Sequence, residues 1–301
     1  MSIDTDAILD RRRLKRRLFF WRAFAVVAIL TAIGVGVARF AGSENGEHVA
    51  RLDVTSVIVE NERRQQVIHE IAQNDDAKAL IVYINSPGGS TYGSERLLKA
   101  LKRVAQKKPV ITVIGTVGAS GGYMTALAGE HIFAGESSIT GSIGVIVQLT
   151  EMSELMEKIG VKADAITSGE LKGEPSPFKP LSEAGRRNLK EMVLQTHEWF
   201  VDLVADNRPI SRAEAAAIAD GRVLIGKAAL QAGLIDELGG LEEARRWLES
   251  QKQIPSSLPL IVADYSTPKG LIQELLQGIL GKSVISERLT LDGLISLWQP
   301  N

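Results

Sequence analysis

Apolar positions along the chain fall into two alternating kinds of run. Ala79-Leu80-Ile81-Val82-Tyr83-Ile84 and Val110-Ile111-Thr112-Val113-Ile114 are almost continuously apolar, which is the pattern of strands buried on both faces. Val54–Val59 and Ala163–Thr167 read as further strands. Between them, Glu62–Ala72 and Ser94–Ala105 carry apolar residues at helical spacing, the second with Leu97, Leu98 and Leu101 on one stripe. Strands alternating with helices predict an α/β fold: a mainly parallel sheet with flanking helices and right-handed crossovers.

Beyond residue 181 the period becomes helical. Ser182–Asn207 reads as a long amphipathic helix with Ser182 and Glu183 suited to its start. Pro209 closes it, and Ser211 with Glu214 opens the next helix as a capping box. Val223-Leu224-Ile225 reads as a short strand, Leu241–Glu249 as a helix, and Tyr265–Asn301 as one or two amphipathic helices after a loop.

The N-terminus follows neither pattern. Arg11, Arg12, Arg13, Lys15, Arg16 and Arg17 form a basic block directly before an apolar run, residues 18–41, whose only charges are Arg22 and Arg39 near its ends. About 24 residues suffice to cross a hydrocarbon core of roughly 30 Å. Phe19, Phe20, Trp21 and Phe40 stand at interfacial positions. The run is longer than the apolar part of a signal peptide, and a convincing small-x-small cleavage site is hard to place after Gly34-Val35-Gly36-Val37, so a retained anchor is the expectation. The positive-inside rule keeps residues 1–17 in the cytoplasm and sends the rest outward. The expected organisation is a cytoplasmic tail (1–17), a transmembrane anchor (18–41), a polar linker (42–51), a main domain (52–250) and a helical C-terminal extension (251–301).

Composition then removes whole classes of function. A net charge of −1 over 301 residues is not that of a nucleic-acid binder. The absence of cysteine excludes thiol nucleophiles, disulfides and thiolate-bound metals. No cofactor or metal site is expected.

Two glycine-rich turns carry the candidate chemistry. Asn85-Ser86-Pro87-Gly88-Gly89 follows one buried strand and precedes a helix. This is the sheet edge where α/β proteins bind ligands, and its amides are free to point outward. Gly118-Ala119-Ser120-Gly121-Gly122-Tyr123 follows the next buried strand and leads into a helical run over Met124–Ala128. A hydroxyl on such a turn has the placement of a nucleophile, with the next N–H facing a developing oxyanion. A serine there is equally a helix cap. Of the four histidines, His48, His69, His131 and His197, none lies in a glycine-rich loop. A lysine of lowered pKa replaces a histidine base in some serine enzymes. Lys172, in the loop Thr167–Phe178, is the candidate by position.

Asn85–Ser90, Gly118–Tyr123, Thr140-Gly141-Ser142-Ile143-Gly144-Val145, Ser168–Phe178 and the stretch from Gly221-Arg222-Val223 to Gly233-Leu234-Ile235-Asp236-Glu237-Leu238-Gly239 resemble, in order, the motifs of the signal peptide peptidase A family, in its short form. The resemblance covers roughly residues 52–250. It implies a crotonase-like fold shared with the Clp protease subunit and a Ser-Lys dyad. Ser120 would be the nucleophile, Lys172 the general base and Ser142 the residue that orients the lysine. The amides of Gly88 or Gly89 and of Gly121 would form the oxyanion hole. Clp protease carries a histidine base about 25 residues after its serine, where this chain has Val145.

The resemblance further implies a homo-oligomer, a ring or dome such as an octamer, whose sites combine the serine and lysine of neighbouring subunits. The expected partners are hydrophobic peptides, such as remnant signal peptides, and the bilayer. The expected location is a bacterial inner membrane, with the catalytic domain on the periplasmic side. The alternatives are a crotonase-type acyl-thioester enzyme that uses the same amides without a nucleophile, and a non-enzymatic membrane scaffold.

Overall fold

A computed structural model describes residues 15, 17–31, 46–265 and 295–297. The chain divides into two compact units, Met1–Gly46 and Glu47–Asn301.

In the first unit, residues 17–31 form a helix, α1, with exposed side chains that include Phe19, Trp21 and Phe24. Among the described residues no helix is long and apolar enough to cross a membrane. The remainder of the expected span, residues 32–41, lies outside the described residues, as do Arg11, Arg12, Arg13 and Arg16.

The second unit is a mixed α/β domain. Its elements are β1 (His48–Thr55), α2 (Glu62–Gln73), β2 (Ala77–Ser86), β3 (Gly88–Ser90), α3 (Thr91–Ala105), β4 (Val110–Ala119), α4 (Gly121–Ala126), β5 (His131–Ala134), β6 (Ile139–Gly141), α5 (Ser153–Lys158), α6 (Glu183–Asn207), α7 (Arg212–Ile218), β7 (Val223–Ile225), α8 (Gly226–Gln231), β8 (Glu237–Leu238), α9 (Leu241–Lys252), β9 (Leu260–Val262) and β10 (Ile295–Leu297). The main sheet runs β7-β6-β4-β2-β1-β9 and is parallel except for the β6–β7 pair.

β4 positions the site because it serves two partners in succession. Its first half, Ile111–Ile114, pairs with β5, and its last residues, Val117–Ala119, pair with β6. The sheet therefore divides within β4, between Ile114 and Val117, and the β6-paired end of the strand leads directly into Ser120. On β2, Leu80, Val82 and Ile84 face the core under α2 and α3, while Ala79 and Ile81 face α9 through Ala244 and Leu248. This two-sided burial is why the sequence shows a continuous apolar run there, each large side chain contributing about 1.5–3 kcal/mol.

Several boundaries differ from those expected. β1 begins at His48, inside the stretch expected as linker, and His48 is buried. Its early residues alternate with charges, which hides the strand. The strand expected at Ala163–Thr167 is absent; that segment is exposed and unpaired in any sheet. In the expected helical extension only its first two residues are helical, as the end of α9; beyond them β9 adds an edge strand beside β1, and β10 is a strand that pairs with β3. The other residues of the extension after Tyr265 lie outside the described residues.

Candidate active site

Two turns at the C-terminal ends of β2 and β4 meet. The Asn85 side chain accepts from Val117 N–H at 3.2 Å and joins the two strand ends. The Ser86 hydroxyl donates to Ser56 O at 2.6 Å and accepts from Gly88 N–H at 3.1 Å. That second bond occupies the Gly88 amide. Gly88 O accepts from Ile58 N–H at 2.8 Å, and Ser90 N–H donates to Ile58 O at 2.9 Å. By strand alternation, the N–H and C=O of Gly89 face the opposite edge of β3. A Cβ on Gly89 would collide with the Ile58 carbonyl, so only glycine brings the backbone this close.

The opposite edge of β3 is paired. β10 runs antiparallel to it, Ser296 opposite Gly89 and Leu297 opposite Gly88. The glycine turn therefore accepts an extended peptide segment as an added strand, a mode in which backbone hydrogen bonds supply affinity.

Ser120 stands between β4 and α4 with φ 55° and ψ −116°, and is 1% exposed. A non-glycine residue in the left-handed region is strained, and such strain gathers at functional sites. Its side chain makes no cap hydrogen bond to α4, so the helix-cap reading of this serine does not hold. Ser120 N–H donates to Gly141 O at 2.8 Å. Ser142, the next residue, is also left-handed, at φ 50°, and buried, and its N–H donates to Arg222 O at 2.8 Å. Two hydroxyl residues with strained backbones are thus tied to one corner of the sheet. Gly121 and Gly122 open α4, where the first helical amides have no intrahelical acceptor.

Lys172 is exposed, whereas Ser120 and Ser142 are buried. It lies in an exposed turn closed by its own N–H to Gly169 O at 3.1 Å. Among the described residues no hydrogen bond joins its side chain to Ser120 or Ser142. The segment that carries it is apolar and uncovered: Leu155, Ile159 and Ile166 are exposed, and α5 buries none of its residues. The N-terminal half of α6 contributes only Gly185 to the buried set.

Sequence reasoning overlooked Ser86, which fixes the first turn, and Arg222, whose carbonyl holds Ser142. Arg222 has no local signal, because its backbone carbonyl meets a distant element, and the Ser86 hydroxyl ties its own turn to the distant carbonyl of Ser56. Among the described residues no group of three or more His, Asp or Glu side chains is placed to hold a metal ion.

A sequence model described as Peptidase family S49 matches residues 102–255. A putative protease of Synechocystis is 34% identical over 233 residues, which is 76% of this chain and 83% of that protein. The chain belongs to peptidase family S49. A model described as Clp protease matches residues 52–139, so the parallel sheet described above is a Clp/crotonase-like domain. A putative protease of Methanocaldococcus jannaschii is 36% identical over 183 residues, covering 61% of this chain and 59% of that protein. A putative signal peptide peptidase SppA of Enterococcus faecium is 32% identical over 227 residues, 71% of this chain and 66% of its own. The chain thus spans less than two thirds of the length of some of its relatives. Within this family the turn at Ser120 lies inside the S49 match and the turn at Gly88-Gly89 inside the Clp match.

Proposed function

We propose that the chain is a serine endopeptidase that cleaves hydrophobic peptides, such as signal peptides left in a membrane, through an acyl-enzyme formed on Ser120. The observation that carries this reading is the pairing of β10 along β3, which lays an extended segment across the turn beside the strained Ser120. Membership of family S49 supports the same reaction, and the name of the Enterococcus relative supports the substrate class.

In the proposed mechanism a substrate strand replaces β10 on Gly88–Ser90. Ser120 Oγ attacks the scissile carbonyl carbon and passes its proton to Lys172 Nζ. The carbonyl oxygen becomes an oxyanion held by the N–H groups of Gly89 and Gly121. The intermediate collapses, the C–N bond breaks, and Lys172 returns the proton to the departing amine. Water then attacks the ester, with Lys172 again taking the proton, and frees the carboxylate product and Ser120. Ser142 orients the lysine amine.

Lys172 belongs, in this reading, to the site of a neighbouring subunit. Its exposed position and the uncovered apolar surface around Leu155 and Ile159 support an interface there. A ring or dome of identical subunits places each lysine over the next subunit's serine through heterologous contacts that close. The basic block and the apolar run over residues 18–41 support a single N-terminal anchor in a bacterial inner membrane, with the peptidase domain on the periplasmic side.

The test is covalent. A peptidyl fluorophosphonate should modify oligomeric protein at Ser120, mapped by mass spectrometry, and Ser120→Ala should lose both label and hydrolysis. Labelling elsewhere with hydrolysis intact in Ser120→Ala would overturn the reading. Turnover of an acyl thioester by Ser120→Ala would favour the crotonase-type alternative.

A further inference from the structure

Behind the residue that follows the nucleophile lies a hydroxyl with no role in the mechanism above. Ser94, in the first turn of α3, is fully buried, and its Oγ has no hydrogen-bond partner. A serine at that helical position ordinarily returns its hydroxyl to the carbonyl four residues earlier, and here it does not. A buried donor left without an acceptor destabilises the fold, so such a group calls for a reason.

Its surroundings supply one. The position where a side chain would leave Gly121 is filled by Ser94 Oγ, and the same point lies 3.2 Å from Gly89 N. Three groups therefore border one small space: the Gly121 backbone, the Gly89 amide nitrogen and the Ser94 hydroxyl. Two of the three are the amides assigned above to the oxyanion. The space admits no Cβ from residue 121, the residue that follows Ser120.

We propose that Ser94 is a third donor of the oxyanion site, its O–H turning to the tetrahedral intermediate beside the N–H groups of Gly89 and Gly121. The hydroxyl has no acceptor in the free enzyme and gains one only as charge develops. Such an interaction favours the transition state over the bound substrate and so acts on kcat rather than KM. This inference rests on Ser120 being the nucleophile.

The experiment uses the full-length oligomer, with three variants assayed beside the parent: Ser94→Ala, Ser94→Gly and Ser120→Ala. Active sites are counted by fluorophosphonate titration, and a peptide boronate serves as the transition-state probe. With the hydroxyl removed, kcat per titrated site should fall by about 10- to 100-fold, within reach of the loss of one oxyanion donor. KM should stay within about twofold, and the boronate should weaken by the same factor as kcat. The melting temperature of Ser94→Ala should hold or rise, because an unpartnered hydroxyl has left the core.

Full kcat and full boronate affinity in Ser94→Ala would overturn the proposal and make the hydroxyl a passenger. Loss of titratable sites in both Ser94 variants, with a lowered melting temperature, would overturn it too, as the mark of a packing residue. Hydrolysis retained by Ser120→Ala would instead remove the nucleophile itself, an outcome separate from either.

Discussion

The backbone N–H of Ser120 donates to the carbonyl of Gly141 at 2.8 Å, so the turn that presents the candidate nucleophile is pinned to the strand end that precedes Ser142. Gly141 has φ 78°, and a Cβ there would press on Arg222 O at 3.3 Å. Gly141→Ala should therefore cost about 1–2 kcal/mol of stability through backbone strain. The same change shifts both hydroxyls, and small displacements of reacting groups cost roughly 10- to 100-fold in rate. Urea midpoints and kcat/KM measured on one preparation check both. A stability loss with unchanged kcat/KM would mean that the corner does not position Ser120.

Gly89 is constrained more tightly. Any Cβ would run into the Ile58 carbonyl, and Ile58 holds β3 in place by donating its N–H to Gly88 O and accepting from Ser90 N–H. Gly89→Ala should displace β3, abolish fluorophosphonate labelling of Ser120 and lower the melting temperature. Gly46→Ala, where nothing stands within 4 Å of the added atom, is the matched control and should change neither.

How far the sequence revealed this molecule depends on where each contact is made. β2 and β4 were legible because both of their faces are buried, α2 because its apolar residues keep helical spacing, and α6 and α7 because their caps are local: Ser182 and the Ser211–Glu214 box both appear. β3, β6 and β8 are two or three residues long and owe their pairing to distant strands, so no local period announces them. Ser120 was visible as a hydroxyl among glycines, and its left-handed backbone was not, since φ is set by the meeting of β4, β6 and α4. Lys172 was found by motif, and nothing in its turn marks it physically: its environment within one chain is solvent. Ser94 read as an ordinary helix start, because its neighbour Gly121 arrives from another turn.

Stability at low pH should depend on the pair Arg208–Asp236. The guanidinium is buried and donates to both carboxylate oxygens, at 2.9 and 2.8 Å, and Asp236 also accepts from Ile132 N–H at 2.8 Å. Burial pushes the Asp236 carboxyl up, but the Arg208 hydrogen bonds and charge, with Ile132 N–H, together hold it below its usual range. A carboxyl lowered on folding stabilises the native state above its unfolded pKa, near 3.9, and that contribution is lost as pH falls through the lower folded value. Asp236→Asn should cost about 2 kcal/mol near neutral pH, below the roughly 3–5 of a fully buried pair because Asp236 keeps some contact with water. The gap between parent and variant in urea midpoint should hold at pH values well above about 3.9 and close only as pH falls below it, through the lower folded value. A gap independent of pH would sink the assignment.

Because β10 lies where the substrate strand is proposed to bind, removing it should ease entry. A chain lacking residues 292–301 should show a lower KM for a hydrophobic peptide with kcat little changed. Adding the peptide of residues 292–301 in trans should inhibit the shortened enzyme competitively. An unchanged KM with no inhibition would mean that β3 is not the substrate edge.

The exposure of Lys172 against the burial of Ser120 motivates the sharpest test of a shared site. If one subunit supplies the serine and its neighbour the lysine, Ser120→Ala and Lys172→Ala chains are each inactive alone, by about 10³-fold or more in kcat. Co-expressed in equal amounts they form mixed rings, in which a site is intact when the serine comes from a Lys172→Ala subunit and the lysine from a Ser120→Ala neighbour. Random assembly through heterologous contacts makes about a quarter of sites intact, so activity should return to about that fraction of the parent. Within a single subunit no mixing can restore a site, and activity would stay at background. Ile159→Glu, which puts a charge on the uncovered apolar surface, should release monomers in sedimentation and lose hydrolysis in proportion. Activity in those monomers would show that the lysine reaches Ser120 of its own chain.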